Sequence, residues 1–438
     1  MPCFHKYITT CLCLILGFLS GCVRKQTQLE LSERNVVVIL IDALRADHLP
    51  FYGYPINTAP FLTKLASQGV VFEQAFSASS YTAPSTASIF TALYPTQHGV
   101  LTGMQAWRRL RADHQELILN RIPKGLETMP EVFRKAGYKT YGVTDNLNIS
   151  KEMGFDRGFD QFASYNYQTA TVVNETVRSW ANAISMGGKY FMYLHYMEPH
   201  VPYHRRKPWF KPSSNQRART ISAYDSEISF VDEKIKELSD LFQWEKNAVI
   251  VIIADHGEEF WEHGGKEHAL TLYREVLHVP FVLYASGLKP LRIGTPVSVS
   301  SLLPTLADLL GLPANPVWQL PSLAAGVRGG HIEEQALHAQ LIKHPDQGKP
   351  SRHSVIYQGW HYILSIYPDG TQTEELYRLD HDFAETKNLI SSEVKTAKYL
   401  RTKIHELRDD VTNVPKEEIK LDIDQDTIRQ LKTLGYME

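Results

Sequence analysis

The chain has 438 residues, 43% apolar and 21% charged, with a formal net charge of -2. That is ordinary globular composition, long enough for one large core and a smaller appendage, and it carries no global signal for nucleic acid. The four cysteines, Cys3, Cys11, Cys13 and Cys22, all fall at the N-terminus, so the body beyond them can form neither a disulfide nor a cysteine-ligated zinc site.

Taken in chain order, the first element is the apolar run "YITTCLCLILGFLSGC", preceded by His5 and Lys6. It is short and abruptly ended for a membrane span, and it reads as a secretory signal. Its end, "LSGC", resembles a bacterial lipobox. The resemblance implies a signal peptide over 1–21 and a lipid on Cys22, so a cell-envelope protein anchored on a membrane surface facing the periplasm or the exterior. An ordinary N-terminal anchor helix is the alternative. Residues 22–34 read as a polar tether.

Val36–Ile41 is an unbroken aliphatic run followed at once by Asp42, the pattern of a strand buried on both faces. "TAPFLTKLASQG" reads as a helix. In "SASSYTAPSTASIFTALYPTQHGV", Thr82 precedes a short helical stretch. Pro84 suits its first position, which would leave the N–H groups of Ser85 and Thr86 free to face an anion beside Thr82. The Thr82 hydroxyl is either a nucleophile or a helix cap. "GLETMPEVFRKAG" is helical. "YKTYGVTDNLN" is a strand ending in Asp145, Asn146 and Asn148, and "KYFMYLHYMEPH" another ending in His195, Glu198 and His200.

Residues 203–220 hold six Lys or Arg and no acid. They form either a solvated loop or a contact for an anionic substrate or lipid headgroups. "SAYDSEISFVDEKIKELSDLF" has helical spacing. Val249–Ile253 is a second strand run, followed by Asp255 and His256. Alternating strands and helices imply an α/β fold with a mostly parallel sheet, whose ligands bind beyond the strand carboxyl ends. Asp42, Asn146, His200, Asp255 and His256 would converge there.

The segments "VVVILIDALRADHLPFYGY", "YTAPSTASIFTALYPTQHGV", "FMYLHYMEPHVPY" and "VIVIIADHGEEFWEHG", in this order, resemble the sulfatase-like branch of the alkaline phosphatase superfamily. "ELYRLDHDFAETKNL" resembles the small C-terminal sheet of sulfatases. The resemblance implies a catalytic core over 35–315, a helix-flanked sheet with its metal site at the strand ends, and a small C-terminal subdomain and tail over 316–438.

It also implies that Asp42, Thr82, Asp255 and His256 hold a metal, with Thr82 as nucleophile. A threonine cannot become formylglycine, and two further departures from the sulfatase pattern matter. Thr86 stands where sulfatases carry an arginine, and Asp255-His256 and Asp42-Ala43 stand where calcium-type sulfatases carry Asp-Asn and Asp-Asp. Two carboxylates, a hydroxyl and an imidazole suit zinc, with calcium or manganese as alternatives. The set resembles the threonine-using phosphodiesterases and phosphoethanolamine transferases. By that resemblance Asn146, or Asn148 beside it, donates to a phosphoryl oxygen. His200 either contacts the anion or joins His204 and His268 around a second metal. Asp47, His98, Glu258 and His263 are expected to support the site.

Three functions compete: a membrane-tethered hydrolase or transferase of phosphate (di)esters, a sulfuric ester hydrolase, and a catalytically silent binding lipoprotein. The first two take an anionic ester as substrate. The sequence sets no oligomeric state.

Overall fold

The structure, a computed structural model, describes residues 31–103, 116–343, 348–409 and 417–422. Cys22 and the expected signal segment lie outside the described residues. The aliphatic runs form the centre of an eight-stranded sheet. Its middle is five parallel strands in the spatial order Ala248–Ile253, Asn35–Ile41, Tyr190–Tyr196, Lys139–Thr144 and Gln161–Ser164. Beyond Ala248–Ile253 lies Phe281–Ala285, the one reversed strand of this sheet, followed by Val70–Phe72 and Leu291–Ile293.

Register follows the sequence pattern. Ile39 is level with Leu194 and Ile252, and all three are fully buried. Strands buried on both faces need no polar alternation, which is why these runs are continuous. Parallel pairing brings their carboxyl ends to one edge, and Asp42, Asp145, His195 and Asp255 all sit there.

Helices flank the sheet. The helical patterns appear as Pro60–Gln68, Met129–Lys135 and Gln216–Phe242. The last begins before its apolar periodicity does, because the Asn215 side chain caps it by accepting from the Ala218 N–H at 2.9 Å. Met129–Lys135 opens on a capping box in which the Thr128 N–H donates to Glu131 Oε2 at 2.8 Å.

The C-terminal part forms a four-stranded antiparallel sheet of Leu337–Leu341, Ser351–Tyr357, Trp360–Ile366 and Gln372–Arg378. Helix Val394–Asp409 covers it, burying Ala397, Leu400 and Ile404 against Val355, Tyr362, Leu364 and Leu376. This subdomain is not isolated. Its edge strand reaches the segment that leads into Thr82, where the Gln340 N–H donates to the Ala78 carbonyl at 2.9 Å. Strand Glu417–Asp422 returns to pair antiparallel with Glu116–Arg121 of the core.

Candidate active site

The carboxyl edge gathers two carboxylates, imidazoles and a hydroxyl. Asp42 and Asp255 are fully buried, and Asp42 Oδ1 and Asp255 Oδ2 have no hydrogen-bond partner. His256 Nε2 stands 3.5 Å from each of those two oxygens and 3.2 Å from Thr82 Oγ1. The other His256 nitrogen, Nδ1, donates to the Gly257 carbonyl at 2.8 Å. That bond fixes the tautomer and leaves the Nε2 lone pair facing the carboxylates and the hydroxyl.

The backbone around these groups is held tightly. The Ala43 and His256 N–H groups donate to Asp255 Oδ1 at 3.3 and 3.0 Å. Ala43 takes a left-handed conformation, φ 57, which costs a non-glycine residue about 1 kcal/mol. The hydroxyls of Ser77 and Ser85 both donate to the Asp255 carbonyl. At Gly257 a Cβ would lie 2.1 Å from the Glu275 carbonyl oxygen, so only glycine lets the turn after His256 pack so closely.

Charge is concentrated and poorly screened. Burial opposes ionisation of Asp42, but interaction with the imidazoles of His200, His195 and His256 holds its carboxyl well below the usual range. Burial, with the Asp42 charge added, pushes Asp255 up. Burial pushes His200 and His256 down.

The helix that carries Thr82 spans Thr82–Thr91, and its capping residue is Tyr81. Thr82 is therefore the first helical residue and does not cap. Pro84 sits third rather than first, and the Ser85 N–H donates to the Tyr81 carbonyl at 3.1 Å. The expected free N–H groups at Ser85 and Thr86 thus belong to the helix ladder. The unladdered amides of this terminus are those of Thr82 and Ala83, one turn nearer the carboxylates.

Other expected residues divide. Asn146 reaches the site, but its amide nitrogen donates to Asp42 Oδ2 at 2.9 Å and its oxygen accepts from the Asn148 N–H. It orients the carboxylate. His200 and His268 are buried with ring centres 4.6 Å apart, and His268 stacks on His256 at 4.2 Å. His204 is exposed on the loop beyond, which sets it apart from that buried pair.

The supporting residues also resolve. Glu258 lies 3.0 Å from His268 Nδ1, and burial pushes its carboxyl up to about 7. His98 lies 3.0 Å from the Ser88 hydroxyl and is pushed down to about 3 by burial, so it is a neutral packing residue. Of the basic run, Arg206 pairs with Glu198 and Glu227, and Arg217 with Glu262. Those two cations are paired with acids of the fold, Arg206 half-buried and Arg217 exposed.

Sequence reasoning missed His195 as a site residue. Its Nε2 lies 3.2 Å from Asp42 Oδ2, and neither ring nitrogen has an aligned hydrogen bond. Asp42, His195 and Asp255 form a buried group whose ligand atoms lie within 4.8 Å of one another. The available signal was an imidazole inside an otherwise apolar and aromatic strand, level with Leu40 in the neighbouring one.

These donors fit a metal ion. Ligands of a tetrahedral zinc at ~2.0–2.1 Å stand about 3.3 Å apart, close to the 3.2–3.5 Å separations around His256 Nε2. Two unpartnered carboxylate oxygens and a lone pair aimed at them are a donor set that a bound cation would satisfy.

Sheet, helix terminus and donor set together define a metal-dependent enzyme of the alkaline phosphatase superfamily. The sulfatase family model matches residues 34–312, and the chain belongs to that family. It is 26% identical to a sulfatase of Formosa agariphila, over 88% of this chain and 87% of that one. It is 24% identical to the phosphatidylethanolamine transferase Mcr-1 of Escherichia coli, over 65% and 55% of the two chains. Among solved structures, the phosphonate monoester hydrolase of Agrobacterium radiobacter superposes with a TM-score of 0.67 at 15% identity, covering 86% of this chain and 95% of that one. That likeness concerns the fold.

Proposed function

We propose that the protein is a membrane-tethered, zinc-dependent hydrolase or transferase of phosphate esters that works through Thr82. The observation that carries this reading is the Thr82 hydroxyl at 3.2 Å from His256 Nε2, on a helix N-terminus beside the Asp42 and Asp255 carboxylates. Asp42, Thr82, Asp255 and His256 would hold the ion, with His195 at hand beside Asp42. Bound there, the ion supplies Lewis acidity that lowers the hydroxyl's pKa toward neutrality.

The chain's own groups do the rest. The Thr82 oxygen attacks phosphorus in line, its bond to phosphorus forms, and the bond from phosphorus to the leaving oxygen breaks. The proton lost from the Thr82 hydroxyl passes to solvent, and the leaving oxygen takes up a proton from solvent. The Thr82 and Ala83 N–H groups donate to a non-bridging oxygen as its negative charge grows. Asn146 keeps Asp42 oriented, and the two serines keep the Asp255 backbone in place. Water or an acceptor hydroxyl then attacks the phosphothreonine and releases Thr82.

A second reading, sulfate-ester hydrolysis, is favoured by the sulfatase relative. Against it stand Thr82, which cannot form the aldehyde hydrate, and Thr86 at the arginine position. The test is acid-quenched mass spectrometry after brief exposure to chromogenic phosphodiesters and sulfate esters. The expected result is a phosphorylated peptide spanning Thr82, with turnover nearly abolished in Thr82→Ala and appreciable in Thr82→Ser. Wild-type turnover by Thr82→Ala sinks the assignment. Tethering is tested separately: Cys22→Ser should abolish fatty-acid labelling, and normal labelling would overturn the anchor.

A further inference from the structure

Behind the catalytic turn, where the core meets the C-terminal subdomain, a cleft of about 240 Å³ is lined by Arg45, Asp47, Glu262, Arg274, Glu275, His278, Phe383 and Ala384. None of these is a candidate metal ligand or nucleophile. The charges in it are unevenly matched. Arg45 grips Asp47 with two nitrogens, at 2.9 and 2.8 Å, and Glu262 with a third at 2.8 Å. Glu275 takes the His263 Nδ1–H at 2.7 Å. Every acid that lines the cleft therefore has its cation.

Arg274 does not have its acid. Its residue is 6% exposed, its Nε has no hydrogen-bond partner, and no carboxylate of the described residues lies within 4.0 Å of its guanidinium. The nearby Glu385 carboxylate is occupied by the Arg274 backbone N–H and by His361 Nδ1. The one polar contact of the guanidinium is long, 3.5 Å from Nη2 to His278 Nδ1. His278 Nε2 donates to the Glu73 carbonyl at 2.9 Å, so Nδ1 is a neutral acceptor and brings no negative charge. Phe383 covers the guanidinium face at 3.8 Å, and Phe76 lies 5.5 Å away.

Glu385 and Asp47 oppose the desolvation of Arg274 only from beyond ion-pair distance, and a buried cation with donors to spare and no counter-charge in contact is costly. A guanidinium fork is shaped for two oxygens of one anion. We propose that this cleft is a binding site for a small tetrahedral oxyanion, sulfate or phosphate, held by Arg274 between the core and Phe383 of the C-terminal subdomain. The volume of the cleft, about 240 Å³, restricts the ligand to a compact ion, and Arg45 and His263 neutralise the acids Asp47, Glu262 and Glu275 around it. Phe383 and Ala384 come from the subdomain, so occupancy also fastens the seam.

The experiment is equilibrium dialysis of the purified enzyme against radiolabelled sulfate, and separately phosphate, at constant ionic strength set with sodium chloride. Arg274→Gln is expected to bind one equivalent fewer than wild type while its turnover is unchanged. Equal stoichiometry in the two proteins overturns the site. As a measurement on unmodified protein, selenate soaked into crystals should give an anomalous peak within hydrogen-bond distance of Arg274. Peaks confined to the Asp42–Asp255 edge would equally overturn it.

Discussion

Asp255→Asn should move stability in opposite directions with and without metal. The two buried acids face one another with an unpartnered oxygen each, so in the metal-free protein they repel. Asn keeps the size of the side chain and its oxygen for the Ala43 and His256 amides, and removes one charge. Even two pKa units of upward displacement correspond to about 3 kcal/mol. Each kcal/mol moves the midpoint of a domain this large by roughly 2–4 °C. The metal-free variant should therefore melt roughly 5–10 °C above the metal-free wild type. Because burial and Asp42 raise the folded pKa of Asp255 from 3.8 to about 7, its ionisation costs stability as pH rises through that window, so the gap should widen up to about pH 7 and level off above it. With zinc the order should reverse. An ion at a thousandfold excess over its Kd stabilises by about 4 kcal/mol, and the variant forfeits most of that. Thermal melts in chelator and in zinc-saturated buffer, with elemental analysis of both proteins, measure the crossing. A variant less stable than wild type under both conditions would refute the reasoning and make Asp255 an ordinary hydrogen-bond acceptor.

Two further predictions concern the frame around the site. His263 donates to Glu275 Oε1 at 2.7 Å and to the Glu385 carbonyl at 3.2 Å; burial opposes its charge, but these partners raise its pKa to about 9. Its contribution should be full below about 6.5 and lost as pH rises through about 9, roughly 2 kcal/mol after discounting for solvent screening; urea unfolding of wild type and His263→Gln should differ at pH 6 and converge above pH 9.5. Leu400→Ala, at a position 1% exposed, should cost about 2–4 kcal/mol, and hydrogen exchange should place the loss in the C-terminal sheet and its helix rather than in the large sheet.

The sequence alone determined the parallel sheet and the edge at which chemistry occurs. Continuous aliphatic runs such as Val36–Ile41 and Val249–Ile253 can be buried only as central strands, and Asp42 and Asp255 follow them directly or after one residue. Local pattern therefore already located both acids. It also placed Thr82 at a helix start, because Pro84 restricts the backbone nearby. Tertiary structure decided what local pattern cannot hold. Which amides are free at that terminus depended on where the helix began, and the Tyr81 carbonyl claimed the Ser85 N–H. The role of Asn146 depended on the distance to Asp42, 104 positions away in the chain. His195 looked like one more strand residue until parallel pairing set it beside Asp42. The Arg274 cleft joins side chains from both parts of the molecule, and its guanidinium lacks a contacting acid only because each neighbouring acid has found another partner. Strand formation is written in side-chain periodicity over a few residues. Charge compensation is a property of groups brought together from distant positions, so only the folded chain decides it.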